Sequence, residues 1–166
     1  MSRSASLAAE VLVTAEVSAE EEQSIVDAFR ALDVAARTRM VSTRRGLEQL
    51  QWLVLATLPL HALLSGLGSA AAADIAEGLK HLVGRVAGAK RTTASSEQVL
   101  VLQDSATRLQ VVLEADLPGA AYQALVALDL SAFGQGPVHY DRRRGEWRSE
   151  LDEWQRRQAE DSEPVR

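Results

Sequence analysis

From Gln49 to Ala73 the chain carries no formal charge. An uncharged run of that length either crosses a bilayer or supplies the middle of a core, and it constrains the fold more than any other feature of the sequence. Pro59, His61, Ser65, Gly66, Gly68 and Ser69 interrupt it, and Ala70 to Ala73 add little hydrophobicity per residue. The stretch therefore reads as two elements. Trp52 to Leu58 is short, apolar and suited to a buried strand. Pro59 then belongs to the first turn of a helix, where its missing N–H would have had no partner. Leu60, Leu63, Leu64, Leu67, Ala71, Ile75, Leu79, Leu82, Val83 and Val86 recur at three and four. That spacing predicts one long helix over about residues 59–88, straight or kinked near Gly66 and Gly68. Unbroken, it would run about 40 Å. Its charged residues, Asp74, Glu77, Lys80 and Arg85, fall with His81 in the second half, so the first half is expected to be buried or to meet a partner.

The flanking segments carry clear local signals. Val11 to Val17 is a strand pattern that ends at Ser18, and Ser18 with Glu21 forms an S-x-x-E capping box. Ile25, Phe29, Leu32 and Ala36 follow at helical spacing, which predicts a helix over 19–35 laid against a sheet. Arg37 to Thr43 alternates as a strand, with Met40 and Ser42 on one face and Arg39 and Val41 on the other. After a polar linker at 90–97, Val99–Leu102 and Leu109–Leu113 enclose a polar loop and predict a hairpin. Asp116 is placed to cap a helix starting near Pro118, which ends at Phe133-Gly134. A second hairpin is expected at 138–141 and 146–148, turning through Arg142 to Gly145, where glycine can take a positive φ. Residues 149–158 read as a short helix around Leu151 and Trp154. The order predicts an α+β fold, a mostly antiparallel sheet with two or three helices packed on it, one of them long. Residues 1–9 are expected to be a flexible N-terminus, 10–150 a single domain, and 151–166 a charged tail, partly helical and then disordered.

The chain carries few motifs of chemical function. The 166 residues include no cysteine, which excludes a disulfide scaffold, a thiolate zinc site and a thiol nucleophile. Acidic residues outnumber basic ones, 23 to 18, and this argues against non-specific binding to nucleic acid. The first residues lack the apolar run of a secretory signal, so a cytoplasmic location is expected. His61, His81 and His139 form no metal-binding pair; His61, inside the apolar run, is expected as a hydrogen-bonded core or interface histidine. Asp104, Glu114, Asp116 and Asp141 stand at strand ends, where an acid–base pair or a divalent-cation site can be built, though turns select aspartate for local hydrogen bonds alone. Arg142, Arg143, Arg144 and Arg148 with Tyr140 and Trp147 offer a phosphate-binding patch, against which stands a simple solvated hairpin tip. No nucleophile–base pair, phosphate loop or dinucleotide fingerprint is present. The expectation is a non-enzyme with no cofactor and no metal.

What remains is the apolar run as an interface. If part of it stays exposed, Trp52, Leu55, Leu60, Leu63, Leu64 and Leu67 form a patch larger than a soluble monomer ordinarily shows, suited to a protein partner or to self-association. Trp52 to Leu60, Gly78 to Val83 and Pro137 to Asp141 together resemble small actinobacterial proteins of the effector-associated constant component family, which accompany variable effectors in biological-conflict systems. The resemblance covers most of residues 10–150 in the order of elements. It implies a non-enzymatic accessory role, coupling to an effector, and carries no catalytic residues across. Two alternatives stand beside it: a small-ligand-sensing domain, and a membrane-associated component acting through residues 52–73.

Overall fold

The computed structural model describes residues 7–14, 17–41, 54–65, 72–89, 98–134 and 136–161. It opens with strand β1 (Leu7–Thr14) and helix α1 (Ala19–Ala31). The capping box forms as the sequence predicts. The Glu21 N–H donates to Ser18 Oγ at 3.3 Å and the Ser18 N–H to Glu21 Oε2 at 2.7 Å, while Glu20, Glu21 and Glu22 complement the helix dipole. α1 stops at Leu32, earlier than its periodicity suggests, because Asp33 turns the chain with φ 59° and strand β2 (Val34–Val41) begins at once.

Pro59 divides the uncharged run. Strand β3 (Val54–Leu58) precedes it and helix α2 (Leu60–Leu64) follows, with Pro59 itself as the N-cap residue. The next described helix is α3 (Ala72–Ala89). Strands β4 (Gln98–Asp104) and β5 (Gln110–Glu114) form the first hairpin. Helix α4 (Gly119–Val126), a 3-10 turn at Leu130–Ala132, strands β6 (His139–Asp141) and β7 (Glu146–Arg148), and helix α5 (Glu150–Asp161) complete the chain. The β6–β7 turn uses Gly145 at φ 68°. No described helix is long and apolar enough to cross a membrane.

The main sheet has the order β2-β1-β3-β4-β5. β1 runs parallel to β2 and β3 parallel to β4, whereas β1–β3 and β4–β5 are antiparallel. This corrects the expected fold on two points. The sheet is mixed, not mostly antiparallel, and five α-helices, not two or three, are present among the described residues. The span 59–88 is likewise not one described rod: α2 ends at Leu64 and α3 starts at Ala72. The reason lies in the connections. The helix after β1 and the helices after β3 are crossovers that return the chain parallel to its starting strand, so the two β-α-β units sit back to back with β1 and β3 antiparallel at the centre. Right-handed crossovers related in this way put both helices on one face, and α1 and α3 do pack together. Gly78 lets them approach: a Cβ there would stand 2.2 Å from Leu32 Cδ2.

The core fills that face. Val11 and Val13, Val54, Ala56 and Leu58, Leu100 and Leu102, and Val111 and Leu113 alternate inward from four strands onto Ile25 and Phe29 of α1 and onto Leu79, Leu82 and Val86 of α3. Each of the valine, leucine, isoleucine and phenylalanine side chains contributes about 1.5–3 kcal/mol by leaving water.

Candidate functional site

Most of the groups singled out by sequence are consumed in holding the fold together. Asp104, at the end of β4, is 2% exposed. Its carboxylate accepts from the Leu60 N–H at 2.9 Å, the Thr107 N–H at 2.9 Å, the Thr107 hydroxyl at 2.9 Å and the Ala106 N–H at 3.2 Å. Burial by itself would raise its pKa, but the hydrogen bonds from Thr107 and from the backbone of Leu60 and His61 outweigh it and hold the group below the ordinary aspartate range. Asp104 thus caps α2 and staples it to the first hairpin. Its role is that of a turn carboxylate reaching across the fold.

The other carboxylates and the arginines answer each other. Arg142 donates to Glu114 at 3.0 Å and to Asp116 at 2.7 Å; Asp116 therefore tethers the β6–β7 turn and does not cap α4, whose N-cap is Pro118 with no side-chain bond. Arg148 donates to Asp141 at 2.7 Å and clasps Glu153 of α5, while Arg144 stands 3.7 Å from Glu146. Hydrogen bonding to Arg148 keeps both Asp141 and Glu153 below their usual carboxylate ranges. Of the four arginines only Arg143 forms no side-chain ion pair among the described residues, although its backbone N–H donates to Asp141 at 2.9 Å. The aromatics of this hairpin are structural too. Trp147 is buried and its Nε1–H donates to the Ala121 carbonyl at 2.8 Å, with the Tyr140 ring 5.4 Å away. His61 is exposed on α2, not buried; His81 accepts from Arg85, and His139 is half-buried in β6. Among the described residues no group of three or more His, Asp or Glu side chains is placed to hold a metal ion.

The proposed interface residues divide. Trp52 and Leu67 lie outside the described residues. Leu60, Leu63 and Leu64 are at most 5% exposed and belong to the core of this chain. Leu55 alone is half-buried, on the opposite face of β3 from Val54 and Ala56, in register between Leu12 of β1 and Val101 of β4.

A concavity that periodicity did not single out is a groove of about 480 Å³ between α3 and α4. α3 contributes Ala72, Ala73, Ala76, Glu77 and Lys80, and α4 with its C-cap contributes Gly119, Tyr122, Gln123, Val126 and Ala127. Each set recurs at three and four, one stripe per helix. Six of the ten wall residues are alanine, glycine or valine, and Glu77, Lys80, Gln123 and the Tyr122 hydroxyl supply the polar groups. Tyr122 is 3% exposed, and burial followed by the charge of Asp116 pushes its hydroxyl up to about 12; the hydroxyl has no hydrogen-bond partner among the described residues. The signal was present in the sequence as the alanine run before Asp74 and the Gly-Ala-Ala start of α4, but small residues read as weak hydrophobicity, not as a wall. No family model matches the chain, and neither a curated protein nor a solved structure matches it.

Proposed function

We propose that the chain is a non-enzymatic interaction module that docks a protein partner in the groove between α3 and α4. The groove is the observation that supports this reading. Two neighbouring helices face it with alanine, glycine and valine, so a third helix can approach to the 8–10 Å interaxial distance of close helix packing. Its apolar face would cover Ala73, Ala76 and Val126, and its polar flank would meet Glu77 and Lys80. The resemblance to effector-associated constant components supplies the class of partner, an effector of a bacterial conflict system, with this chain as its accessory component in the cytoplasm.

The test is co-expression with the product of an adjacent effector gene, followed by size-exclusion chromatography. Ala73 is exposed, so Ala73→Arg fills the groove without disturbing the core. Co-elution with the wild type that is lost in Ala73→Arg, at an unchanged melting temperature, supports the reading; failure of the wild type to co-elute, or co-elution that survives the substitution, overturns it. Ligand sensing is the second reading, favoured by the groove volume, which lies within the range of small-molecule sites. A nucleotide or amino acid that raises the melting temperature of the wild type but not of Ala73→Arg would decide for it.

A further inference from the structure

The polarity of α5 is inverted relative to the body it packs on. Its inward residue is an acid: Asp152 is 8% exposed and accepts from the Gly136 N–H at 3.4 Å, while its own N–H donates to Ser149 Oγ at 3.3 Å. Its large apolar residues point away, Leu151 at 40% and Trp154 at 51% exposure, and they are two of the three exposed large hydrophobics among the described residues. They stand three apart and share one face. The Arg148–Glu153 pair holds the helix in this orientation.

We infer that α5 is a self-association element, pairing antiparallel with the α5 of a second copy so that Leu151 of each packs on Trp154 of the other. The charges beside the apolar pair select this occupant. Glu150 and Arg157 flank the Leu151/Trp154 face on the same side, seven residues apart. Within one helix they are separated by about 10 Å along the axis, and neither forms an ion pair among the described residues. With Leu151 and Trp154 as the a and d residues of a heptad, Glu150 and Arg157 are both g residues. Antiparallel helices bring g beside g, which sets Glu150 of each copy against Arg157 of the other. A parallel pair would set Glu150 against Gln155 and leave the charges unmatched. Both halves of the complementarity reside in one helix, as a homodimer requires. Two leucines and two tryptophans make a small interface, so the dimer belongs to the weak class. The inference is independent of the groove, because none of its residues lies there.

Sedimentation velocity of the full chain from micromolar to millimolar concentration reads the association directly. The expected result is a concentration-dependent rise from 18.0 kDa toward twice that mass, weakened more than about thirtyfold by Trp154→Ala. Glu150→Arg and Arg157→Glu should each weaken it by roughly three- to thirtyfold, since each single change breaks two symmetric pairs. The double variant Glu150→Arg/Arg157→Glu should regain the wild-type dimer, a recovery that can run only between chains. A monomer at every concentration overturns the inference, as does a dimer indifferent to Trp154→Ala or a double variant no better than the singles. All substituted residues are exposed or outside the core, and circular dichroism identical to wild type confirms the fold in each variant.

Discussion

The sheet-and-helix body and the C-terminal β6-β7-α5 segment are held together by different physics. In the body, apolar side chains from β1, β3, β4 and β5 interlock with α1 and α3, and the deepest of them are wholly buried. In the C-terminal segment Trp147 is the one buried apolar side chain among the described residues of its three elements. The half-buried Tyr140 also packs against the core, and the side-chain attachments beyond these two aromatics are polar: Arg142 to Glu114 and Asp116, Arg148 to Asp141 and Glu153, and Asp152 to the Gly136 N–H. Apolar burial is not weakened by charge screening or by mild acid, whereas partly exposed ion pairs are screened by salt and neutralised by acid. The segment is therefore the part of the molecule that can loosen while the rest stays folded.

Three substitutions test that contrast. The largest effect is expected from Leu82→Ala, which opens a cavity between α3 and the sheet. It should cost about 2–5 kcal/mol in chemical denaturation, and α5 should unfold with the body in the same transition. Next comes Asp104→Ala, the exception within the body because its anchor is polar. Loss of a buried acceptor that serves four donors should cost roughly 2–3 kcal/mol. Its pH signature follows from the depressed pKa: the stabilisation is complete above the ordinary aspartate value of about 4 and is lost as pH falls through the lower value of the folded state. A difference between wild type and Asp104→Ala that narrows in acid but holds in molar salt checks this. The smallest effect is expected from Arg148→Met. Amide exchange should quicken in α5 and β7 while β1, β3 and α3 keep their protection, and high salt should produce the same pattern in the wild type. Uniform protection across both regions would show that they are one cooperative unit.

Local features of the fold were legible from sequence because their causes lie within a few residues. Ser18 and Glu21 define the start of α1 by bonding to each other's backbone, and Pro59 separates strand from helix by lacking an N–H. The 98–114 and 138–148 hairpins are announced by polar turns between apolar runs. The groove was less legible. The stripe at Ala72, Ala73 and Ala76 and the stripe at Gly119, Tyr122 and Val126 are each visible as spacing, yet neither announces that the other will lie beside it. In the sequence Glu114, Asp116 and Asp141 suit a carboxylate site and Arg142 and Arg148 a phosphate patch, yet in the fold they are one another's partners.

Helical and strand periodicity and end-capping are short-range consequences of backbone geometry, and they settle where most elements lie and which way their apolar faces turn. Tertiary structure alone decided that β1 and β3 meet antiparallel while each runs parallel to its own return strand, that Leu60, Leu63 and Leu64 face inward, and that Leu151 and Trp154 face outward. The alternation of Val54, Ala56 and Leu58 is the same whether the neighbouring strand runs up or down. A choice of neighbour rests on crossover handedness and on the closure of long connections, which act between residues far apart in the chain.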